Sequence, residues 1–398
     1  MGSRDSEANK EQAQVKRLKI RFSLLQFTFW CSWCAFTSFV ALYLKTEGLS
    51  QSQIGFALSV NTLSGIMGQL VWGFLCDRFG TIRRIFLAAN VMIAIVILSF
   101  LLFKGTTATL LLMGLLGFAQ IPQPSILDTW ILKKLPNREK EYGSIRLWAS
   151  IGFALFALGF GTIINLLGFA VLFIAPTVFI MASLILAWTL EDIDRRDGGA
   201  GSMRLKSAFK ELAANKGFLY FIAVCFTIGL AARTTHLLLP LIIEAVEGTS
   251  FHLGLALFIT GVAEIPMLLL SKRLSKRFKP QSLVLLSVLC YGVQFALLFH
   301  ANSLFLVFVA MAFQGLAFGN LLPSVRLFVY KETPESLRTT AQTITDAIYS
   351  SLAGVIGSAV GGIIIQKSGL PTLIMVCLGL ITIAFLALCL KIISRKHR

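Results

Sequence analysis

Six charged side chains stand out inside the long apolar stretches of this 398-residue chain. A charge at membrane depth costs roughly 2.5–3.5 kcal/mol on insertion scales, so such residues pair with one another or line a substrate or ion pathway. Three of the six are basic and three are acidic, so they can neutralise one another. The alternative for each is an ion pair that only holds helices together. They are Asp128, Arg146, Arg233, Glu264, Arg326 and Asp346.

Asp128 and Arg146 are the best candidates for binding a small molecule. They flank a short polar turn at similar depth, so the two helices that carry them would be antiparallel neighbours. A carboxylate and a guanidinium placed in this way could form a bidentate ion pair. Ser150 and Phe153 follow Arg146 on the same helix face. The charged groups could form hydrogen bonds with the hydroxyls of a sugar, and the aromatic ring could stack on the C–H face of the sugar ring. These residues therefore predict a sugar site.

A proton-coupled carrier also needs a group that binds and releases H⁺ in the working pH range. Glu264 has no obvious partner within its own apolar stretch. Asp346 could pair with Arg233 or Arg326 and take up a proton when the pair breaks. His236 is a third candidate, although a single histidine in such a stretch is as often a packing or hydrogen-bonding residue. The sequence leaves these alternatives open.

The composition around these residues is that of a membrane protein. Hydrophobic residues make up 56% of the chain and charged residues 14%, against about 25% charged in soluble proteins. About twenty apolar residues span a bilayer as a helix, and twelve such stretches are present. They lie near 20–44, 53–76, 83–103, 107–132, 142–166, 168–190, 217–243, 251–271, 281–300, 303–329, 340–366 and 370–393.

The basic residues predict how the chain is oriented in the membrane. The net charge of +17 would suggest a nucleic-acid partner in a soluble protein. Here the alternate loops contain only Lys45, Lys104 and Lys367, and the other lysines and arginines outside the spans lie on the opposite side. The positive-inside rule therefore places both termini in the cytoplasm. This asymmetry accounts for the basic charge without a nucleic-acid partner.

Motifs for enzymatic chemistry are missing from the sequence. It contains no G-x-x-x-x-G-K-[ST] phosphate loop, no cluster of histidine and acidic residues with metal-ligand spacing and no nucleophile triad. We therefore expect no catalytic residue, no metal and no cofactor, and we do not expect an enzyme. A sensor without transport activity is a further alternative, which the retained charges argue against.

The segment "GFLCDRFGTIRR", Gly73–Arg84, joins the second and third apolar stretches. It fits G-x-x-x-D-R-x-G-x-x-R-R and resembles the loop signature of the major facilitator superfamily. A glycine permits close helix contact, and an acidic residue at a helix end can meet a helix N-terminus or the nearby arginines. The interpretation is a conformational latch; the alternative is an ordinary basic loop. The latch residues are Gly73, Asp77, Arg78, Gly80, Arg83 and Arg84.

The second half of the chain echoes the first. "KRLSKRFKPQ", Lys272–Gln281, occupies the equivalent loop, with Lys276 where the first half has Asp77. A repeat of six plus six spans is a transporter architecture, in which substrate is expected between the halves near the midplane.

"YGSIRLWASIGFAL", Tyr142–Leu155, resembles the fifth helix of the lactose permease family of oligosaccharide:proton symporters, with Gly143 and Arg146 in register. "CAFTSFVALYL", Cys34–Leu44, looks like that family's first helix. The spacing between the acidic residue Asp128 and Arg146 also resembles that of the family, in which the acidic residue is a glutamate.

The resemblance implies roles for individual residues. Asp128 and Arg146 would be the central sugar ligands, Phe153 would occupy the position of a stacking tryptophan, and Glu264 would link the substrate and proton sites. The charges of helices seven, ten and eleven depart from the family pattern. There we expect a sign-inverted pair, in which Arg233 or Arg326 joins Asp346.

The sequence predicts an all-α membrane protein with twelve helices in two six-helix bundles. Its function would be proton-coupled uptake of a sugar or small oligosaccharide by a monomer in the plasma (inner) membrane. Because MFS_1-like sister carriers share the "YGSIRLW"-like segment, uptake of an aromatic acid or nucleoside is an alternative, as is drug/proton antiport. The predicted parts are a cytoplasmic tail (1–19), a first bundle (20–190), a cytoplasmic loop (191–216), a second bundle (217–393) and a short tail (394–398).

Overall fold

The computed structural model describes residues 2–135, 138–192, 211–334 and 337–396, and these residues contain helices and no strands. Within these described residues, twelve helical spans are long and apolar enough to cross a membrane, so the predicted all-α fold with twelve membrane helices is confirmed. The predicted loop at 191–216 and the tail at 394–398 fall partly outside the described residues.

Most spans are single helices, whereas three join two helical segments: Val15–Thr46, Thr106–Lys134 and Thr340–Ser368. Six residues directly after Asp346 form a π-helical turn, Ala347–Leu352. The helices are α1 (Gly2–Thr37), α2 (Val40–Thr46), α3 (Gln51–Phe79), α4 (Arg83–Leu102), α5 (Thr106–Gln120), α6 (Gln123–Lys134), α7 (Arg138–Leu167), α8 (Val171–Trp188), α9 (Lys216–Leu237), α10 (Leu239–Ala245), α11 (Ser250–Arg277), α12 (Pro280–Phe299), α13 (Leu304–Glu332), α14 (Arg338–Asp346), α15 (Ala353–Ser368) and α16 (Leu370–Lys396).

The spans are helical because a bilayer offers the backbone no hydrogen-bonding partner, so each segment must satisfy its own N–H and C=O groups. Large apolar side chains remain exposed along these helices; Leu70 is 71% exposed and Leu269 is 74% exposed. Such a surface would favour aggregation in water. It suits contact with lipid.

The chain forms two compact units. Unit 1 comprises residues 1–40 and 64–200, and unit 2 comprises residues 41–63 and 201–398. The division differs from the predicted bundles in that residues 41–63 pack with the second half of the sequence.

Glycines explain why this short segment belongs to unit 2. A Cβ atom added at Gly55 would collide with the Ser358 carbonyl oxygen and would lie 3.0 Å from the Gly362 Cα atom. A Cβ atom at Gly362 would lie 2.5 Å from the Gln51 carbonyl oxygen. Small residues on both helices therefore permit backbone contact between α3 and α15.

An aromatic cluster in unit 1 holds α6 in place. The fully buried Trp130 ring packs edge-on against Phe22, with ring centroids 5.6 Å apart, and lies 6.0 Å from the Phe86 ring. Its indole N–H donates a hydrogen bond to the Glu191 carbonyl oxygen at 3.0 Å. Trp130 therefore anchors the helix that carries Asp128.

Candidate functional site

The candidate binding site in unit 1 is built around Trp30 of α1. The Arg146 guanidinium carbon lies 4.6 Å from the centroid of the Trp30 ring, which is a cation–π contact. The Trp30 indole N–H donates to Gln26 Oε1 at 3.0 Å. Gln26 Nε2 donates in turn to Asp128 Oδ1 at 3.0 Å. Asp128 and Arg146 are thus connected through two side chains of a third helix.

This arrangement corrects the expectation of a direct ion pair. Within the described part of the chain, no ion pair joins Asp128 to Arg146, because Gln26 occupies the carboxylate and Trp30 occupies the guanidinium face. Gln26 is fully buried, so its amide is a fixed part of the site. The remaining hydrogen-bonding capacity of Asp128 and Arg146 is available to a ligand.

Phe153 lies beside the same tryptophan, as the shared helix face with Arg146 predicts. Its ring centroid is 6.3 Å from that of Trp30, with the two planes nearly perpendicular at 71°. Ser150 lies one turn after Arg146 and is exposed. Gly152 permits this arrangement, because a Cβ atom there would lie 2.8 Å from the Phe27 carbonyl oxygen of α1.

Gln26 and Trp30 were missed in the sequence because neither is charged. Their four-residue spacing does place them on one face of α1, but the same spacing is common among packing residues. Trp33 continues the aromatic surface, with its ring centroid 5.6 Å from that of Trp30. The site therefore combines an aromatic surface with a guanidinium, a carboxylate and an amide, which suits a neutral ligand that carries both a ring and hydroxyl groups.

Replacing Trp30 tests this aromatic surface. We expect Trp30→Ala to raise the KM for uptake at least about tenfold, because it removes the ring and the cation–π contact, which is worth about 0.5–2 kcal/mol. Trp30→Phe keeps a ring and loses only the N–H donor, so the expected rise is about threefold. Trp148→Ala is the matched control, since that residue is 44% exposed. A Trp30→Ala variant with unchanged KM would contradict this role.

Unit 2 contains a pair of buried tyrosines, Tyr291 and Tyr349. The hydroxyl oxygens of Tyr291 and Tyr349 are 3.4 Å apart. The charges of Arg233 and Glu264 both act on this phenol pair. Tyr349 lies in the π-helical turn, a feature often found at functional sites.

Small residues bring the backbones of these helices together. A Cβ atom at Gly319 of α13 would lie 2.7 Å from the Glu264 carbonyl oxygen of α11. A Cβ atom at Gly229 of α9 would lie 2.6 Å from the Tyr349 carbonyl oxygen. Glu264 itself is half-buried. These contacts fix the helices from which Glu264 and Tyr349 project.

Asp346 interacts with one of its two predicted partners. Its carboxylate accepts a hydrogen bond from Gln342 Nε2 at 3.4 Å, and the charge of the exposed Arg326 acts on it. The Arg233 charge instead acts on His236 and on the phenol pair. These electrostatic interactions favour Arg326 over Arg233 as the partner of Asp346, and the functional role of this pair stays a prediction.

The contacts of the latch motif differ from those expected for Asp77. Asp77 is exposed, and the carboxylate that reaches the N-terminus of α4 is Asp192, which follows α8. Asp192 Oδ1 accepts hydrogen bonds from the backbone N–H groups of Ile82 and Arg83 at 2.9 and 3.0 Å. The Thr81 hydroxyl donates to the same carboxylate. These are the donors that a helix leaves unsatisfied at its start.

The other motif residues surround this contact. Gly80 adopts a φ of +58°, which favours glycine, and the Arg83 guanidinium donates to the Leu190 carbonyl oxygen at 3.1 Å. Arg78 and Arg84 are exposed. Gly73 does not mediate the close contact expected of it, because no described atom lies within 4 Å of a Cβ atom placed there.

Removing the Asp192 carboxylate should destabilise unit 1. We expect Asp192→Ala to lower the free energy of unfolding by about 1–2 kcal/mol, the upper range for a lost N-terminal cap, and Asp192→Asn to retain much of it. Thermal unfolding of the purified protein in detergent measures the change. Asp77→Ala is the control and should leave the transition unchanged. Destabilisation by Asp77→Ala alone would contradict the assignment of the capping role to Asp192.

Among the described residues, no three His, Cys, Asp or Glu side chains are placed together to hold a metal ion. Residues 19–376 match the family model described as "MFS_1 like family". The maltose permease of Geobacillus stearothermophilus is 25% identical over 350 residues, which cover 88% of each chain.

Two solved structures share the fold. The crystal structure of the nucleoside transporter NupG matches with a TM-score of 0.83 at 17% identity, over 94% of this chain and 98% of that one. The D-xylose-proton symporter matches with a TM-score of 0.73 at 17% identity, over 94% and 96% of the two chains. At these identities, the comparisons establish a shared architecture over nearly the whole chain.

Proposed function

Because this chain belongs to the MFS_1 like family of major facilitator superfamily transporters, we propose that it takes up a sugar or small oligosaccharide together with a proton by alternating access. The predicted resemblance to the major facilitator superfamily is confirmed. As a member of this family the chain is a multi-pass membrane transporter of a small molecule and not an enzyme.

The site around Trp30 carries the proposal. A pyranose ring presents C–H groups on one face, which pack against an aromatic surface, and hydroxyls at its edge, which accept from Arg146 and donate to Asp128. Gln26 holds the Asp128 carboxylate towards α1. The relatedness to a maltose permease and the shared fold with a D-xylose-proton symporter agree with this substrate class.

A nucleoside is the second candidate. The site presents several aromatic rings, because Phe153 and Trp33 flank Trp30, and a nucleobase offers two faces for stacking where a sugar offers one apolar face. The fold is also that of the nucleoside transporter NupG. A nucleoside contains a ribose, so in both candidate substrates sugar hydroxyls would form hydrogen bonds with Arg146 and Asp128.

The remaining parts of the proposal concern coupling and placement. Glu264 is the proposed proton carrier, with Asp346 and His236 as alternatives and Arg233 and Arg326 completing the charge network. We place the protein in the plasma (inner) membrane as a monomer, with both termini in the cytoplasm, following the positive-inside rule. The lipid bilayer and H⁺ are then its partners besides the substrate.

Binding to the purified protein tests the substrate class. Maltose, other mono- and disaccharides, uridine, adenosine and phenylpropionate are titrated separately, and the heat of binding is recorded. We expect a sugar to bind to the wild type and to lose its affinity in Arg146→Ala. Binding of a nucleoside alone would replace the sugar with the second candidate. Binding of many unrelated cations, with no sugar or nucleoside bound, would instead indicate drug antiport.

A further inference from the structure

A hydrogen-bonded chain of three side chains crosses the interior of unit 2. Gln294 Nε2 of α12 donates to Gln314 Oε1 of α13 at 3.0 Å. The Gln314 amide contacts His236 Nδ1 of α9 at 3.4 Å. Gln294 is fully buried and Gln314 is 6% exposed. The proposed site in unit 1 uses neither glutamine, so the chain requires its own explanation.

One end of this chain is open. Gln294 Oε1 is buried and has no hydrogen-bonding partner within the described structure. Reversing both amides does not remove the problem. Gln314 Nε2 would then donate to Gln294 Oε1, the protonated His236 Nδ1 would donate to Gln314 Oε1, and Gln294 Nε2 would be left without an acceptor. Either assignment leaves one buried polar atom of Gln294 unsatisfied.

Other polar groups occur on the helices that this chain joins. Tyr291 precedes Gln294 by three residues, so the two side chains share a face of α12, and the Tyr291 hydroxyl faces that of Tyr349. The Arg233 charge acts on Tyr291. Arg233 Nε is itself buried without a partner in the described structure. Two buried polar atoms without a described partner therefore lie on helices that this chain joins, α12 and α9, and such atoms are rare unless a ligand or ordered water completes them.

We propose that Gln294, Tyr291 and Arg233 line a binding site for a single hydroxyl group inside unit 2. A hydroxyl can donate to Gln294 Oε1 or accept from Gln294 Nε2, so it satisfies either orientation of the amide. An anion suits only the second orientation. The hydroxyl belongs either to an ordered water molecule or to the transported substrate. The first source is independent of the proposed function, and the second rests on it.

A high-resolution structure of the full-length protein tests the site in three states: free of substrate, with maltose and with uridine. Density within hydrogen-bond distance of the Gln294 amide in the substrate-free state identifies a water. A site that is filled only by a hydroxyl of bound maltose or uridine identifies the substrate as the source. Either result supports the site. An amide that has no such density in any state, or that bonds to another protein group, overturns it.

A matched pair of glutamine variants separates the two sources in solution. Gln294→Met removes the amide at nearly constant shape. Gln123→Met is the control, because Gln123 is also fully buried but both of its amide atoms are bonded, to Ala119 and Asn90. If the substrate supplies the hydroxyl, Gln294→Met weakens its binding about threefold to tenfold, and Gln123→Met leaves binding unchanged. Equal losses in both variants contradict this source.

If water is the source, substrate affinity is unchanged in Gln294→Met and the density at the site disappears. A wild-type protein that binds none of the tested compounds would contradict the proposed function. The substrate-free structure would still decide whether the hydroxyl site exists.

Discussion

Arg146→Ala is expected to lower substrate uptake at least about 100-fold. The variant removes the guanidinium that lies on the Trp30 ring, and with it the two charge-assisted hydrogen bonds that we propose it donates to the substrate. Each such bond contributes about 1.5–3 kcal/mol, and 1.4 kcal/mol corresponds to tenfold in affinity. Initial rates of uptake and the dissociation constant of the purified protein measure the effect.

Two further variants control for charge and folding. Arg146→Lys should recover little of the uptake, because an ammonium group lacks the planar, bidentate donor geometry of a guanidinium and stacks poorly on an aromatic ring. Arg277→Ala removes an exposed arginine at the end of α11 and should transport as the wild type does. If Arg146→Ala transports at near wild-type rates while Trp30→Ala does not, the ligand contacts the aromatic surface alone.

Glu264→Gln is expected to abolish proton-driven accumulation while leaving exchange of substrate across the membrane largely intact. The amide keeps the size and polarity of the side chain but cannot bind and release a proton. Glu264 lies on α11, which packs against α13 at Gly319. The charges of Glu264 and Arg233 both act on the phenol pair, Tyr291 and Tyr349. Counterflow in preloaded vesicles measures exchange, and accumulation against a gradient measures coupling.

The comparison of the three candidate proton carriers decides this assignment. Glu247→Gln is the matched control, because Glu247 is exposed and lies just after the end of α10, and it should leave both activities unchanged. The contrary result is that His236→Gln or Asp346→Asn loses accumulation but keeps exchange, while Glu264→Gln accumulates substrate normally. The proton carrier is then His236 or Asp346, whichever variant shows this loss, and Glu264 is not the carrier.

The sequence predicts the architecture well because a bilayer allows few solutions. Long apolar stretches must become helices, and charges within them are too costly to occur without a reason. Asp128 and Arg146 stood out on these grounds, and both do lie at the Trp30 site. The link between them was not predictable, since Gln26 contacts Asp128 across 102 residues.

Neutral and aromatic residues were the ones missed. The chain contains 33 phenylalanines and 6 tryptophans, so nothing in its composition distinguishes Trp30 from a tryptophan that faces lipid. Tyr291 and Gln294 acquire their interest only from what they contact across helices. Asp192 was missed for a similar reason, since its carboxylate reaches backbone donors 110 residues away and no local pattern encodes that contact.

Under the proposed function, substrate and proton move together through this protein. The most direct test records the external pH of a lightly buffered suspension of de-energised cells that express the protein, as each sugar or nucleoside is added. We predict a rise in external pH on addition of one sugar, and no rise in cells that express Arg146→Ala. Uptake of that sugar without any change in external pH would contradict proton-coupled symport.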